Sequence, residues 1–141
     1  MAKLGRYSAD RKKIEALSAS KTLAVADCGT IFTLEGNSAF TITLPTAASA
    51  GKGWWCKFIA NADHNNADHV ITRHGDDSNN IHVICVNTGA VITSASSPQL
   101  KITLEGAQTE IGDQLEFVTD GSSWFVTAIC NSATAFAIAT S

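Results

Sequence analysis

Charged residues are scarce in this sequence, and it has no long apolar run. Only 16% of its 141 residues are charged and 45% are hydrophobic, which excludes an extended disordered chain. Its longest apolar stretches fall far short of the roughly 20 residues that a transmembrane helix needs. A chain of this length has the usual size of one domain, so we expect a globular protein with one well-formed core and no membrane partner.

The N-terminus lacks the pattern of an export signal. The basic segment Met1–Tyr7 is followed by the polar segment Ser8–Lys13, so the apolar core of a secretory signal peptide does not appear. We therefore expect the protein to be synthesised in the cytoplasm.

Closely paired cysteines are also missing. Cys28, Cys56, Cys85 and Cys130 are widely spaced, form no C-x-x-C pair and each lie within or beside an apolar run. This pattern predicts four small buried hydrophobic side chains. The alternative is two disulfides, for which three connectivities are open, although a chain of this size does not need them for stability.

The sequence has no recognisable catalytic motif. It contains no G-x-S-x-G elbow, no P-loop and no H-E-x-x-H motif. Its polar residues are those that β structure explains, with threonine on strand faces and Asp, Asn, Ser and Gly in turns. We expect a protein that is not an enzyme and has no cofactor. The enzymatic alternative is a glycoside hydrolase that uses two carboxyl groups as acid and base.

The charges are distributed unevenly along the chain. Residues 1–21 contain six Lys or Arg against two acidic residues, a net charge of about +4, whereas residues 22–141 contain four against eleven, about −7. A basic segment before an acidic body can bind nucleic acid or an acidic protein surface, and the alternative is a solvated helix face. The candidate docking residues are Lys3, Arg6, Arg11, Lys12 and Lys13.

The basic segment, residues 1–20, is predicted to be an arm or a short helix. Ser8 can cap a helix that runs to about Ser18, with Ile14 and Leu17 on its apolar side. Such a helix is too short to be stable alone, so we expect it to dock on the body or on a partner.

From Lys21 onwards the apolar residues recur with the period of a β-strand. Thr30–Leu34 and Phe40–Leu44 predict one hairpin, and a second is predicted around the turn Asp120-Gly121. The other predicted strands are Trp54–Ala60, His69–Thr72, Ile81–Val86, Ala90–Thr93, Leu100–Leu104, Gln114–Thr119, Ser122–Cys130 and Thr134–Thr140. Residues 21–141 are therefore predicted to form a single all-β domain, an antiparallel sandwich or barrel of jelly-roll type.

The segment from Asn61 to Asp77 is rich in Asp, Asn and His, and Ala-Asp-His occurs in it twice. Zinc would accept His nitrogens with an Asp oxygen, and calcium would prefer the Asp and Asn oxygens. The spacing fits neither a helix face nor an EF-hand, and such residues are ordinary in long loops, so we expect no bound metal. His82, within an apolar strand, is predicted to be a structural histidine.

Aromatic residues occupy both faces of the predicted strands. Trp54 and Trp55 must point to opposite sides, and Phe125 points away from Trp124. Phe136 lies in a final strand that would invite pairing with a neighbour if its edge were exposed. A sheet that is apolar on both faces is central or lies at a subunit interface. We therefore predict oligomer or ligand contacts at Trp54, Trp55, Phe125 and Phe136, with coverage by loops of the same chain as the alternative.

Two parts of the sequence resemble small virion proteins of tailed bacteriophages. The first runs from Lys21 to Phe32 and continues through Thr41–Pro45 and Gly51–Gly53, and the second is Gly112–Trp124. Within that group, a stand-alone chain of this length resembles capsid decoration, or cement, proteins. The resemblance implies a structural protein without catalytic residues that binds the outer surface of the capsid as an oligomer, often a homotrimer, and stabilises the shell.

The resemblance also implies a partner and a location, namely the major capsid protein and the capsid surface of the virion. The basic arm would then dock on an acidic patch of the capsid. A tail-fibre or spike module is the close alternative, and another is a carbohydrate-binding module that recognises host glycans through Trp54 or Trp55 and the Asp/His/Asn loop. We expect no nucleic-acid partner, because the body of the chain is acidic.

Overall fold

The computed structural model describes residues 11–61, 67–87, 90–94 (backbone only) and 97–140. These residues form twelve strands, a 3₁₀ turn at Val25–Asp27 and one helical turn, α1, at Ala47–Ala50. In chain order the strands are β1 (Lys13–Leu17), β2 (Lys21–Thr22), β3 (Thr30–Leu34), β4 (Phe40–Thr43), β5 (Trp55–Ala60), β6 (His69–Thr72), β7 (Ile81–Asn87), β8 (Ala90–Ser94), β9 (Lys101–Leu104), β10 (Gln114–Thr119), β11 (Trp124–Cys130) and β12 (Phe136–Ala139). Within these ranges no helix could cross a membrane.

The described strands form two sheets that pack as a sandwich, so the predicted all-β sandwich is confirmed. One sheet has seven strands in the order β1-β3-β5-β10-β11-β7-β8, and the other has five in the order β12-β9-β6-β4-β2. Both sheets are mixed rather than purely antiparallel, because β3 pairs with β5, β7 with β11 and β4 with β6 in parallel.

The predicted hairpin around Asp120-Gly121 is confirmed. Strands β10 and β11 pair antiparallel, with Thr119 opposite Trp124. Gly121 has a φ of 95°, a backbone conformation that glycine adopts without steric cost. The Asp120 carboxylate accepts the backbone N–H groups of Ser122 and Ser123, each at 2.8 Å. Local turn chemistry therefore accounts for this hairpin.

The predicted hairpin between Thr30–Leu34 and Phe40–Leu44 is wrong. Strand β3 pairs with β1 and β5 in the seven-stranded sheet, whereas β4 pairs with β2 and β6 in the five-stranded sheet. Phe32 of β3 and Ile42 of β4 are both buried in the core. The two strands therefore present their apolar sides to the same interior from opposite sheets, and the segment between them crosses from one sheet to the other.

The predicted N-terminal helix is also wrong over the residues that the structure describes. Lys13–Leu17 is a strand, β1, which pairs in parallel with β3 at the edge of the seven-stranded sheet. Leu17 is buried in the core, whereas Ile14 is 64% exposed. Pairing along the edge of β3 satisfies the backbone of β1, and a helix of this length has no comparable source of stability. Residues 1–10 lie outside the described residues.

Aromatic side chains fill much of the space between the sheets. Phe32 stacks on Phe58 with 5.5 Å between ring centroids, and Phe117 meets Phe58 edge-on at 5.6 Å. Trp54 and Trp124 make a second edge-to-face pair at 5.4 Å. Aromatic pairs of this geometry add about 0.5–1.5 kcal/mol beyond the burial of their area. These aromatic pairs lie on the core-facing side of the seven-stranded sheet. The opposite side of the sheet therefore faces away from the core.

Three of the four cysteines are buried, as predicted, and Cys28 is the exception. Cys56, Cys85 and Cys130 lie in the core, and all four side chains are free thiols. Cys28 is exposed because it directly follows the 3₁₀ turn, where the chain runs over the surface and Val25 is also exposed.

Candidate functional site

The seven-stranded sheet has a second apolar surface, its outer face, which is turned away from the core. Along β11, Trp124, Val126 and Ala128 are buried, whereas Phe125 and Ile129 are 45% and 53% exposed. Buried and more accessible residues alternate in the same way along β5, β7 and β10. The face is formed by Trp55, Lys57, Ile59, His82, Ile84, Val86, Gln114, Glu116, Val118, Phe125, Thr127 and Ile129.

Strand register arranges the outer face in three rows, each running across β5, β10, β11 and β7. The aromatic row consists of Trp55, Val118, Phe125 and His82. The charged row consists of Lys57, Glu116, Thr127 and Ile84. The aliphatic row consists of Ile59, Gln114, Ile129 and Val86. The surface therefore has a charged centre between two mainly apolar borders, which is unlike the scattered apolar residues of an ordinary protein surface.

The two adjacent tryptophans have different roles. Trp54 is buried, and its indole N–H donates to the backbone carbonyl of Val25 at 2.8 Å. Trp55 is half-buried at the end of the aromatic row, and its own carbonyl accepts the N–H of Gly29 at 2.8 Å. The predicted contact surface therefore includes Trp55, whereas Trp54 belongs to the core.

His82 lies on the outer face rather than in the core. Its ring is half-buried and stacks on Phe125, with 5.6 Å between the centroids and 20° between the planes. The predicted structural histidine is therefore part of the same surface as the predicted contact residue Phe125.

A shallow cleft of about 360 Å³ opens between the aromatic and charged rows. It is lined by Lys12, Trp55, Lys57, Glu116 and Val118. Lys57 and Glu116 are directly opposite each other on β5 and β10. The cleft therefore combines one aromatic ring, two ammonium groups and one carboxylate.

The structure brings part of the basic segment next to this cleft. Lys12 lines it, and Lys13 forms an ion pair with Glu15 at 3.7 Å. Lys21 also donates a hydrogen bond to Glu15, and this bond raises the pKa of Lys21. Partial burial acts in the opposite direction, and the nearby carboxylate of Asp27 adds to the increase. Arg11 is exposed two residues before the start of β1. The predicted docking residues Lys3 and Arg6 lie outside the described residues.

Phe136 is far from the outer face in the topology. It lies on β12, the edge strand of the five-stranded sheet, and is half-buried against the core. It lines a separate open groove of about 620 Å³ with Asp68, Glu105, Gln108 and Thr134. The structure thus separates Phe136 from Trp55 and Phe125, with which the sequence grouped it.

Two aspartates of the Asn61–Asp77 segment accept hydrogen bonds from backbone N–H groups of other segments. Asp68 accepts the N–H of Gly106 at 2.9 Å, and Asp77 accepts the N–H of Ala47 at 3.0 Å. The buried ring of His69 stacks on Phe40, with 3.9 Å between centroids. Among the residues that the structure describes, no group of three or more His, Cys, Asp or Glu side chains could hold a metal ion. Asp63 and His64 lie outside the described residues.

Several outer-face residues were not identified from the sequence. Ile84, Val86 and Val118 are 52%, 45% and 38% exposed, although each belongs to an apolar run. The available signal was the apolar character of both faces of β7, where the buried residues Val83 and Cys85 alternate with the exposed residues Ile84 and Val86. The sequence did not indicate that Lys57 and Glu116 lie side by side, because they are distant in the sequence and meet only through the pairing of β5 with β10.

Comparison with protein families, with characterised proteins and with solved structures finds no match to this chain.

Proposed function

We propose that this chain is a structural virion protein that binds the outer surface of a bacteriophage capsid as a homotrimer and stabilises the shell. Two things support the proposal: the resemblance of the segments around Lys21–Phe32 and Gly112–Trp124 to phage virion proteins, and the outer face of the seven-stranded sheet. The outer face is the observation that supports self-association, because it exposes apolar side chains that a second copy of the chain would cover.

The outer face can supply the centre of a subunit interface. With strands about 4.8 Å apart and same-face residues about 6.7 Å apart, three rows across the four strands β5, β10, β11 and β7 cover about 390 Å² in projection. A stable interface buries about 800 Å² per partner, so protruding side chains and the residues around these four strands must contribute the rest. Trp55 and Phe125 are aromatic, a residue class that is enriched at protein interfaces, and tryptophan is also enriched among the residues that contribute most of the binding energy.

The charges of the outer face suit contact with another copy of the same chain. Lys57 and Glu116 carry opposite charges at the centre of the surface. In a cyclic trimer each copy meets its two neighbours through different parts of one face, so Lys57 of one copy can pair with Glu116 of the next around the axis. The aromatic and aliphatic rows then form the apolar contacts on either side of these pairs.

The basic segment supplies the proposed contact with the capsid. Arg11, Lys12 and Lys13 are exposed at the edge of the seven-stranded sheet, and the sequence places Lys3 and Arg6 just before them. A trimer carries three such segments. Several weak electrostatic contacts repeated by symmetry give avidity on an acidic surface without any strong single contact.

The oligomer is tested by light scattering on the purified protein. The double variant Phe125→Thr/Ile129→Thr removes apolar surface from the outer face and keeps side chains that favour strands. We expect the wild type to have the mass of a trimer and this variant that of a monomer. The matched control is Val25→Thr/Ile111→Thr, which changes two exposed apolar residues elsewhere and should remain trimeric. A monomeric wild type would contradict the proposal.

Capsid binding is tested with undecorated shells. We expect the wild-type protein to sediment with the shells and to raise the temperature at which they disassemble. Replacing Arg11, Lys12 and Lys13 by serine should weaken binding and reduce its dependence on salt. Unchanged sedimentation and salt dependence after this replacement would show that the basic segment is not the docking site.

The cleft beside Trp55 favours a second candidate function, recognition of a host glycan by a tail or spike module. A half-buried indole beside Lys57 and Glu116 offers a stacking surface and polar groups for sugar hydroxyls. Trp54 and Trp124 are buried, so a fluorescence change on adding sugar would report on Trp55. An array of host glycans with no binding, and fluorescence that no sugar changes, would remove this candidate.

A further inference from the structure

Two buried cysteines face each other across adjacent strands. Cys85 on β7 and Cys130 on β11 lie two positions apart in the parallel register, because Cys85 is opposite Ala128 and Cys130 is opposite Asn87. Both side chains point into the core, and the two Sγ atoms are 3.6 Å apart. The remaining thiols differ, since Cys28 is exposed and Cys56 is buried on β5, beyond β10 from this pair.

The distance between the sulfurs is close to what a disulfide requires. A disulfide bond is about 2.05 Å long, so the two Sγ atoms need to approach by roughly 1.5 Å. Strands β7 and β11 are already held side by side along seven paired positions. Because the two residues are diagonal neighbours, their Cα atoms lie about 8 Å apart, beyond the roughly 4.4–6.8 Å that a disulfide spans, so closing the bond requires a local shift of the β7 or β11 backbone as well as side-chain rotation.

We propose that Cys85 and Cys130 are a modification site, at which a small peroxide converts the two thiols into an intramolecular disulfide that joins β7 to β11. This inference does not depend on the proposed function. It concerns a redox state that the protein reaches after it meets an oxidant, whereas the dithiol is the state described by the structure.

The reaction with hydrogen peroxide balances in two steps. The Cys85 thiolate attacks one peroxide oxygen, the O–O bond breaks, and the hydroxide that leaves takes up the proton from Cys85 to give water and a sulfenic acid. The Cys130 sulfur then attacks the Cys85 sulfur, and the sulfenic hydroxyl leaves as water with the proton of Cys130. Two thiols are oxidised to one disulfide, and one peroxide is reduced to two waters.

The environment of the two thiols predicts a slow reaction. Burial, together with the hydrogen bond to Cys85, raises the pKa of Cys130 to about 12. Burial also raises the pKa of Cys85, but the hydrogen bond from Cys130 acts in the opposite direction. Little thiolate of either residue is therefore present at neutral pH, and the roles of Cys85 and Cys130 in the two steps can be exchanged. The pair should stay reduced in the cytoplasm and oxidise only on prolonged exposure.

The test is thiol counting and peptide mapping on the full-length protein. Cys28 is exposed and can itself be oxidised, so thiols are counted in the Cys28→Ser variant: protein kept in a phosphine reductant should titrate three thiols after denaturation, and protein exposed to hydrogen peroxide should titrate one. Protease digestion of the oxidised sample should yield one cross-linked peptide pair that contains Cys85 and Cys130, with a mass two hydrogens lower than the sum of the reduced peptides.

Variants separate this pair from the other thiols. The double variant Cys28→Ser/Cys56→Ala should still lose both remaining thiols on oxidation, and its unfolding temperature should rise by several degrees, because the cross-link constrains the unfolded chain. Cys130→Ala should form no intramolecular cross-link. Retention of all three thiols in Cys28→Ser, oxidation to sulfinic acid without a cross-link, or a cross-link through Cys28 or Cys56 would each overturn the proposal.

Discussion

The ring of His82 stacks on the ring of Phe125 on the side of the seven-stranded sheet that faces away from the core. The two residues are direct partners in the parallel pairing of β7 and β11. Their neighbours along β11, Trp124 and Val126, are buried on the opposite side. The strand therefore contributes apolar contacts to two different surfaces.

Phe125→Ala and Trp124→Ala should separate these two surfaces. Trp124 is fully buried, so its replacement should lower the free energy of unfolding by about 3–5 kcal/mol. Phe125 is 45% exposed, so its replacement should change the stability of the isolated chain by about 1 kcal/mol or less and should weaken self-association instead. Urea unfolding and light scattering measure the two effects. A severe loss of stability in Phe125→Ala would place this residue in the core.

Leu17→Ala and Ile14→Ala test the strand at the N-terminal edge. The side chain of Leu17, at the end of β1, is buried in the core, so we expect its replacement to lower the free energy of unfolding by about 2–4 kcal/mol. Ile14 points outward and is 64% exposed, so its replacement should change the free energy of unfolding by less than about 0.5 kcal/mol. Chemical denaturation of both variants gives the comparison. Equal effects would mean that Lys13–Leu17 does not pack as a strand on β3.

Gly106→Ala should be strongly destabilising because the backbone of Ala67 occupies the space that a side chain would need. An added Cβ would lie 2.5 Å from the carbonyl oxygen of Ala67, and Gly106 also donates its N–H to Asp68. We expect a loss of about 1–3 kcal/mol, as for other overpacked sites. Gly75→Ala is the matched control, because a methyl group added there would meet no atom within 4 Å, and it should unfold like the wild type.

Asp120 should make stability depend on pH. Backbone N–H groups of Ser123 and Ser122 hold the pKa of this carboxyl below its ordinary value of 3.8. Because the folded-state pKa is the lower one, the contribution is fully present above 3.8 and is lost as the pH falls through the lowered value. Asp120→Asn removes the charge. The stability difference between wild type and this variant, measured by urea unfolding, should shrink from pH 6 to pH 2.5, and a constant difference would refute this account.

Local patterns predicted the strands well and their partners less well. Asp120-Gly121 specifies its own turn, so the pairing of β10 with β11 was predictable from adjacent residues. The residues from Glu35 to Ala39 also look like a hairpin turn, but whether β4 returns beside β3 depends on which sheet offers it a partner. Ile14 and Leu17 have helical spacing, yet a free edge on β3 decided the structure of this segment.

The candidate site was also only partly predictable from the sequence. Trp55 and Phe125 stand out because each adjoins another aromatic residue of opposite orientation. The cleft was not predictable, because Lys12, Lys57 and Glu116 meet only through the order β1-β3-β5-β10. The approach of Cys85 to Cys130 likewise depends on the parallel pairing of β7 with β11, which no short-range pattern indicates.

The order of strands in the larger sheet has a consequence for how the protein is made. The β10-β11 hairpin joins β1, β3 and β5 on one side to β7 and β8 on the other, although it comes late in the chain. During synthesis, the two halves of the sheet have no common neighbour until Gln114–Cys130 has left the ribosome. Completion of the sandwich should therefore follow translation of this hairpin, and a chain that stops before Gln114 should remain sensitive to protease throughout.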